Sequence, residues 1–320
     1  MKIILTVSSP PHIYGKDTTS RRMLDVLIAL MPACIFGIYH YGIYAFYVIT
    51  ISVLSAVAAE YLFQKVTGKR VTVNDLSAVI TGILLAFNLP PDVPLWIPVI
   101  GSAFAIIVVK QLFGGLGSNF VNPALAARAL LLASFPVPMT TWRLPPDAVT
   151  GATYLGYIKE NPGFIPEMSD YMALLFGRIG GCIGETSAVA LLAGGIYLLV
   201  RKVINWRIPV FYIGSFAFFA FVLGREGQPL FSGNILFEVL AGGLLLGAFF
   251  MATDYATAPI SPNGKIVMGI GCGFLTVLIR FYGGYPEGVS YAILIMNLFV
   301  PLIDMYIRPR IYGRSKKKKA

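Results

Sequence analysis

Ten apolar stretches, each bounded by Pro, Gly or charged residues, constrain the fold of this 320-residue sequence most strongly. Several approach the roughly 20 apolar residues that a helix needs to cross a bilayer. Only 12% of the residues are charged, against about 25% in soluble domains. The sequence therefore predicts an all-α polytopic membrane protein of about ten transmembrane helices. The stretches are 23–39, 43–63, 74–89, 95–113, 122–135, 184–200, 208–223, 235–253, 264–281 and 289–307.

Two of these stretches are short and interrupted. Stretch 74–89 ends at Asn88-Leu89-Pro90-Pro91, and stretch 122–135 begins with Asn122-Pro123. The free backbone groups of a broken membrane helix must be satisfied by neighbouring protein or face a cavity. The breaks are therefore candidate positions for a functional site.

The distribution of basic residues predicts the orientation in the membrane. With both termini cytoplasmic, nineteen of the 25 Lys and Arg residues lie inside and Arg128 lies within a span. The five that lie outside are Arg143, Lys159, Arg178, Arg225 and Arg280. This bias follows the positive-inside rule and predicts a multi-pass protein of the cell (inner) membrane. The net charge of +10 comes from chain ends and short loops, so we expect contact with anionic lipids and no nucleic-acid partner.

This topology divides the chain around one long polar loop, residues 136–183, which faces outward. The other segments are a cytoplasmic N-terminal segment (1–22), two five-helix halves (23–135 and 184–307) and a basic cytoplasmic tail (308–320). Similar Gly/Leu-rich runs beginning at Gly82 and Gly243 precede polar breaks in spans three and eight. Because five is odd, two five-helix halves have opposite orientations, which predicts inverted repeats.

The outward loop contains a motif with specific chemistry, Asp147-Ala148-Val149-Thr150-Gly151-Ala152-Thr153. An ordinary turn would also use these residue types. The segment nevertheless matches D-x-x-[ST]-G-A-T, at which flavin transferases attach FMN to the last threonine. A chance match in a chain of this length is expected about once in a thousand. We therefore predict covalent FMN on Thr153, with Asp147, Thr150, Gly151 and Ala152 as its recognition residues.

Span six begins on the same side as Thr153, with Gly184-Glu185-Thr186-Ser187. A helix N-terminus offers free N–H groups and a positive dipole end, which suit a phosphate. We therefore predict that Glu185, Thr186 and Ser187 help to seat the FMN. An ordinary capped helix start is the alternative.

Carboxylates at membrane depth are costly and usually face a cavity or a partner. Glu60 in span two and Asp254 at the break of span eight are therefore candidates for ion coupling; for Asp254, a helix cap is the alternative. Arg128 could pair with a carboxylate or with free carbonyls. The three cysteines lie far apart and predict no metal site, and no GxGxxG or P-loop motif indicates bound NAD or ATP.

Together these features resemble the D subunits of Rnf ion-pumping ferredoxin:NAD oxidoreductases and, more distantly, the B subunits of sodium-pumping NADH:quinone reductases. The resemblance covers nearly the whole chain. Besides the threonine motif, its landmarks are Ser8-Ser9-Pro10-Pro11-His12, the segment from Gly114 to Leu125, Gly180 to Ser187 and Phe250 to Asp254.

The resemblance implies a membrane subunit that carries covalent FMN, relays electrons between ferredoxin and NAD, and helps to couple them to Na⁺ or H⁺ translocation. It implies the other Rnf subunits (A, B, C, E and G) and a flavin transferase as partners. It also implies a urea/ammonium-channel-like fold. Without its partners the chain is expected to be inactive as an oxidoreductase.

In the quinone reductases, the turn that corresponds to Asn119 and Asn122 lines a non-covalent riboflavin site. The resemblance therefore implies that Asn119 and Asn122 bind a second, non-covalent flavin in this protein. The alternative for these residues is a helix cap before Pro123. Two other functions stay open, the B-type subunit of a quinone reductase and a urea/ammonium-type solute channel, which the fold alone would equally support.

Overall fold

The computed structural model describes residues 18–144, 149–151, 153–161, 166–177, 180–185, 187–225, 231 and 234–307. These residues are helical apart from one two-stranded hairpin and short turns. The predicted basic tail and residues 1–17 lie outside the described residues. The helices are α1 (Thr19–Tyr41), α2 (Ile43–Val66), α3 (Ser77–Phe87), α4 (Trp96–Ala103), α5 (Pro123–Ser134), α6 (Pro136–Thr140), α7 (Tyr154–Glu160), α8 (Met168–Phe176), α9 (Ala188–Val200), α10 (Arg207–Leu223), α11 (Ile235–Leu240), α12 (Leu244–Leu246), α13 (Pro262–Tyr282) and α14 (Val289–Tyr306).

Every predicted span contains a helix, but these helices fall into two length classes. Four of them, α1, α2, α13 and α14, are long and apolar enough to cross a membrane. The others are shorter or broken. Helix α4 continues as the π-helix Phe104–Gln111, and α12 continues as the π-helix Gly247–Met251. A polytopic helical membrane protein is therefore supported, with several helices that cover only part of the bilayer thickness.

Helix α1 defines the two ends of the bundle. Near its start, Asp25 pairs with Arg201 at 3.3 Å. Near its end, the Tyr41 hydroxyl donates to the Gly181 carbonyl at 3.2 Å. A helix of 23 residues is about 34 Å long. We call the part around Asp25 and Arg201 the Asp25 end, and the part around Tyr41 and Gly181 the loop end.

The predicted breaks at Asn88 and Asn122 coincide with helix ends that meet inside the bundle. Helix α3 stops at Phe87, and the Asn88 amide donates to the Leu84 carbonyl at 2.6 Å. Asn122 caps α5, and its amide also donates to the Met251 carbonyl at 3.2 Å, at the end of the second π-helix. Side-chain amides thus satisfy main-chain carbonyls that the broken helices leave free.

Close helix packing depends on small residues at two crossings. A Cβ atom on Gly82 of α3 would lie 2.7 Å from the Val53 Cα of α2. A Cβ atom on Gly194 of α9 would overlap the Ala29 carbonyl oxygen of α1. Glycine at these positions lets the helix backbones touch, as is common in membrane proteins.

The long loop adds a hairpin that the all-α prediction did not include. Strand β1 (Trp142–Leu144) pairs antiparallel with β2 (Val149–Gly151), and Trp142 stands opposite Gly151. Thr153 follows β2 by two residues and directly precedes α7. The hairpin and α7 therefore lie on the two sides of the predicted attachment site.

The α1–α9 contact generates a stability prediction. Gly194→Val should destabilise the protein by about 1–3 kcal/mol, because the added carbons overlap the α1 backbone. Gly214→Ala in α10 is the matched control, because nothing lies within 4 Å of a Cβ atom there. The midpoint of thermal unfolding in detergent measures both variants. Equal midpoints for Gly194→Val and the wild type would contradict the packing account.

Candidate functional site

Thr153 lies at the loop end with its hydroxyl at the start of a helix. Its Oγ1 accepts a hydrogen bond from the Gly156 amide at 3.2 Å, so the residue caps α7. Thr153 is only 7% exposed and lines a small cavity. Strand β2 includes Thr150 and Gly151, whereas Asp147 and Ala152 lie outside the described residues.

Helix α7 is held in place by packing and by polar contacts. Leu155 and Ile158 join a cluster with Leu174, Phe237 and Ala241. The Tyr154 hydroxyl donates to Asp170 at 3.0 Å, and burial together with this carboxylate raises the pKa of Tyr154 to about 12. Lys159 donates to the Gly283 carbonyl. These contacts connect the threonine to α8, α11 and the turn after α13.

The cavity beside Thr153 has a glycine wall and an acidic side chain. A Cβ atom on Gly242, whose φ is +72°, would lie 2.7 Å from Leu155. A Cβ atom on Gly243 would lie 2.7 Å from Glu185 Oε1. A side chain at either position would displace the end of Leu155 or Glu185, and the positive φ of Gly242 favours glycine there. Glu185 is 6% exposed, and its Oε1 has no hydrogen-bond partner among the described residues.

Cys182, Glu185 and Glu287 converge next to this cavity, with their potential ligand atoms within 4.8 Å of one another. Such a set could hold a metal ion. The Arg128 guanidinium, however, pairs with Glu287 and lies 3.7 Å from the Cys182 sulfur. A fixed cation already neutralises one carboxylate here, so we interpret the cluster as part of an ion-pair network.

Arg128 is the centre of this network. Its Nη1 donates to Asn88 Oδ1 and to Ser290 Oγ, each at 2.9 Å, and its Nη2 donates to Glu287. The sequence left open whether Arg128 pairs with a carboxylate or with free carbonyls, and in the structure it pairs with the Glu287 carboxylate. Arg128 thereby joins α5 to the end of α3 and to the start of α14.

A second set of buried ion pairs lies at the loop end. Glu238 pairs with Arg225 at 2.7 Å and with Arg280 at 3.2 Å. Arg280 also donates to the main-chain carbonyls of Glu238 (2.7 Å) and Ala241 (3.3 Å), at the end of α11. Together with the Arg128–Glu287 pair, three guanidinium groups are thus ion-paired with two carboxylates at the loop end. Such compensation is what makes charges tolerable in a dry interior.

Sequence reasoning missed most of this network. It counted Arg225 and Arg280 among the outward loop charges, whereas the structure buries both, with exposures of 8% and 1%. It did not select Glu287. The available signal was Glu238, a carboxylate inside an apolar stretch, which should have prompted a search for basic partners.

The start of α9 is an ordinary capped helix start. The Ser187 hydroxyl accepts from the Ala190 amide at 3.3 Å and donates to the Leu175 carbonyl at 3.0 Å. Glu185 shares the small cavity with Thr153. Thr186 lies outside the described residues. The role of these three residues in seating a flavin stays a prediction.

A second cavity, of about 90 Å³, reaches toward the Asp25 end and joins two predicted sites that the sequence kept apart. Asn119 and Asn122 from the first half and Asp254 from the second half all line it. The Asn119 amide donates to the Val121 carbonyl at 3.2 Å, and Asp254 accepts from Thr257 at 3.2 Å. The cavity is thus lined by side-chain amides and by a carboxylate.

Glu60 is buried close to the second cavity and is ion-paired. Its Oε1 accepts from Lys110 at 2.8 Å and from Gln111 at 2.7 Å. Lys110 also donates to Ser77 at 2.6 Å and lines the cavity itself. Lys110 therefore connects Glu60, which is 0% exposed, to the space that Asp254 borders.

Comparison with known proteins places these observations in a family. The model of the NQR2, RnfD, RnfE family matches residues 6–313. The chain is 51% identical to the D-type subunit of the Na⁺-translocating ferredoxin:NAD⁺ oxidoreductase complex of Acetobacterium woodii, over 98% of this chain and 97% of that protein.

Two other relatives are also D-type subunits that match this chain over nearly their whole length. The chain is 45% identical to the D-type subunit of the proton-translocating ferredoxin:NAD⁺ oxidoreductase complex of Clostridium ljungdahlii, over 98% of each chain. It is 40% identical to the D-type subunit of the ion-translocating oxidoreductase complex of Stutzerimonas stutzeri, over 95% of each chain. With a family model matched along nearly its whole length and full-length relatives of this similarity, the chain belongs to the NQR2, RnfD, RnfE family.

Proposed function

We propose that this chain is the D-type membrane subunit of an Rnf-type complex and carries FMN esterified to Thr153. In that complex it helps to couple electron transfer between ferredoxin and NAD to ion translocation. The observation that carries the proposal is the position of Thr153, the last residue of a flavin-attachment motif, at a cavity beside the broken helices of the bundle. The other Rnf subunits (A, B, C, E and G) supply the ferredoxin and NAD sites.

The residues around Thr153 fit a covalent flavin phosphate. Thr153 borders a small space that two glycines, Gly180 and Gly242, also line without side-chain atoms. When bound, FMN supplies one- and two-electron redox chemistry, and the protein supplies position and electrostatics. Here the helix cap orients the hydroxyl, and the packing of α7 holds it at the cavity. Glu185 and Ser187 would lie beside the cofactor, across the cavity and at the start of α9.

The arrangement of charges supports the proposed orientation, with both termini cytoplasmic and the Thr153 loop outside. The described Lys and Arg residues concentrate at the Asp25 end, which the positive-inside rule assigns to the cytoplasm. They include Arg21, Arg22, Lys65, Lys69, Arg70, Arg201, Lys202, Arg207 and Lys265. Broken helices that meet inside the bundle support two inverted five-helix halves, 23–135 and 184–307, in a urea/ammonium-channel-like fold.

The second cavity supports roles for the other predicted residues. Asn119 and Asn122 would contact a non-covalent riboflavin, and Asp254 would couple ion movement, together with the Glu60–Lys110 pair. The complex of the Acetobacterium woodii relative translocates Na⁺, whereas that of the Clostridium ljungdahlii relative translocates protons. Both relatives are at least 45% identical to this chain.

Thr153→Ala should abolish covalent flavin, because the alanine has no hydroxyl to receive the phosphoester. The chain is produced together with its flavin transferase, and fluorescence at its mass is measured on a denaturing gel. Thr141→Ala is the matched control, since Thr141 is an exposed threonine of the same loop. A fluorescent Thr153→Ala band would disprove the attachment site, and a dark wild-type band would favour a solute channel.

Asn119→Ala and Asn122→Ser should remove a second, acid-extractable flavin, because each loses amide groups that line the second cavity. Serine at 122 keeps an N-cap for α5, so the helix stays stable. Flavin released by acid from the purified chain is quantified by chromatography. Covalent flavin on the gel serves as the internal control, and unchanged acid-extractable flavin would exclude this site.

Asp254→Asn should lower the affinity of the complex for its coupling ion, because the variant lacks the carboxylate charge at the second cavity. We expect the half-saturating ion concentration to rise about tenfold, which corresponds to roughly 1.4 kcal/mol. Ferredoxin:NAD oxidoreductase activity of the whole complex is measured against Na⁺ and against pH. Glu160→Gln, an exposed carboxylate at the loop end, is the control. An unchanged ion dependence would rule out the coupling role.

A further inference from the structure

A third cavity, of about 240 Å³, lies beside the hairpin and has a different lining from the other two. Three aromatic side chains, Trp142, Tyr285 and Tyr291, form part of its wall. The rings of Tyr285 and Tyr291 are stacked, with centroids 5.0 Å apart and planes at 27°. Aliphatic side chains from α5 and α6 cover much of the remainder. The lining therefore suits a flat, largely apolar molecule.

The same cavity borders polar groups that are fixed in position. Arg128, Glu287 and Ser290 all line it, and Arg128 contacts both of the others. The guanidinium is also bound to Asn88, so its orientation is set by three neighbours. A buried cation beside an aromatic wall is an unusual environment for a hydrocarbon chain, whereas a heteroaromatic ring with carbonyl groups suits both features.

The cavity is adjacent to the attachment threonine. Trp142 stands opposite Gly151 in the hairpin, and Gly151 precedes Thr153 by two residues. Glu287 lines both this cavity and the small cavity at Thr153. A phosphate bound at Thr153 and a ring in the aromatic cavity would thus lie on either side of Glu287. FMN joins its phosphate to its ring through a five-carbon ribityl chain, which can bridge neighbouring cavities.

We propose that the aromatic cavity formed by Trp142, Tyr285 and Tyr291 binds the isoalloxazine ring of the flavin carried by Thr153. This inference rests on the proposed attachment of FMN. The aromatic side chains bind the ring by stacking, which is tolerant of the ring's substituents. Arg128, which lines the same cavity, would supply a positive charge near the bound ring, and charge near the ring nitrogens tunes the potential of a flavin.

The first test uses the quenching of flavin fluorescence by stacked aromatic side chains. Trp142→Leu and Tyr291→Leu should each raise the fluorescence of the folded protein several-fold, while the fluorescence of the denatured gel band stays unchanged. Trp206→Leu, at the start of α10 and at the Asp25 end, is the matched control and should change neither. If both cavity variants carry as much covalent flavin as the wild type and their folded forms fluoresce no more strongly, the proposal is overturned. A dark wild-type gel band would overturn the attachment itself and, with it, the assignment of the ring.

The second test leaves the cavity intact. The chain has three Trp residues, so Trp96→Phe with Trp206→Phe keeps Trp142 as the single tryptophan. Its emission should be several-fold weaker in the flavin-loaded protein than in the same protein with Thr153→Ala. A version that keeps only Trp206 should show a much smaller difference. Equal Trp142 emission with and without flavin would exclude the ring from this cavity and favour a lipid chain or a partner side chain as its occupant.

Discussion

The ion pair between Arg128 and Glu287 is the interaction on which the rest of this structure depends. It joins residues 159 positions apart in the chain. Through Asn88 and Ser290 it also ties the end of α3 and the start of α14 to α5. Removing one partner of a buried pair typically costs roughly 3–5 kcal/mol, because the other charge remains desolvated. The pair therefore holds three elements of the two halves in one arrangement.

Broken helices explain why the protein needs so many buried polar groups. A helix that ends inside a bilayer leaves carbonyl groups without partners, and no water is present to satisfy them. Asn88, Asn122 and Arg280 donate hydrogen bonds to such carbonyls at the ends of α3, of the second π-helix and of α11. Asn122 lines the second cavity, and Asn88 binds Arg128, which lines the aromatic cavity. Features that stabilise the breaks thus also create the spaces in which a cofactor or an ion can bind.

The two ends of the bundle carry different chemistry. The loop end combines Thr153, which we propose as the flavin attachment site, with an acidic cavity and an aromatic cavity, and Glu287 lines both spaces. The cavity toward the Asp25 end combines side-chain amides with Asp254 and Lys110. Helix α1, about 34 Å long, connects the two ends. Electron transfer at one end and ion binding at the other would require communication through the polar helix breaks between them, where Asn88 and Asn122 both contact Met251.

The sequence by itself determined the helical membrane architecture, the positions of the breaks at Asn88 and Asn122, and the motif that ends at Thr153. These features are local: hydrophobic length, proline after asparagine, and a short contiguous motif. Tertiary structure alone decided that Arg128 binds Glu287, that Lys110 neutralises Glu60, and that Asn119 and Asp254 share a cavity. Such pairings join residues from distant parts of the chain, and no local pattern specifies them. Helix packing selects them, because every charge taken out of water must find its partner in the fold.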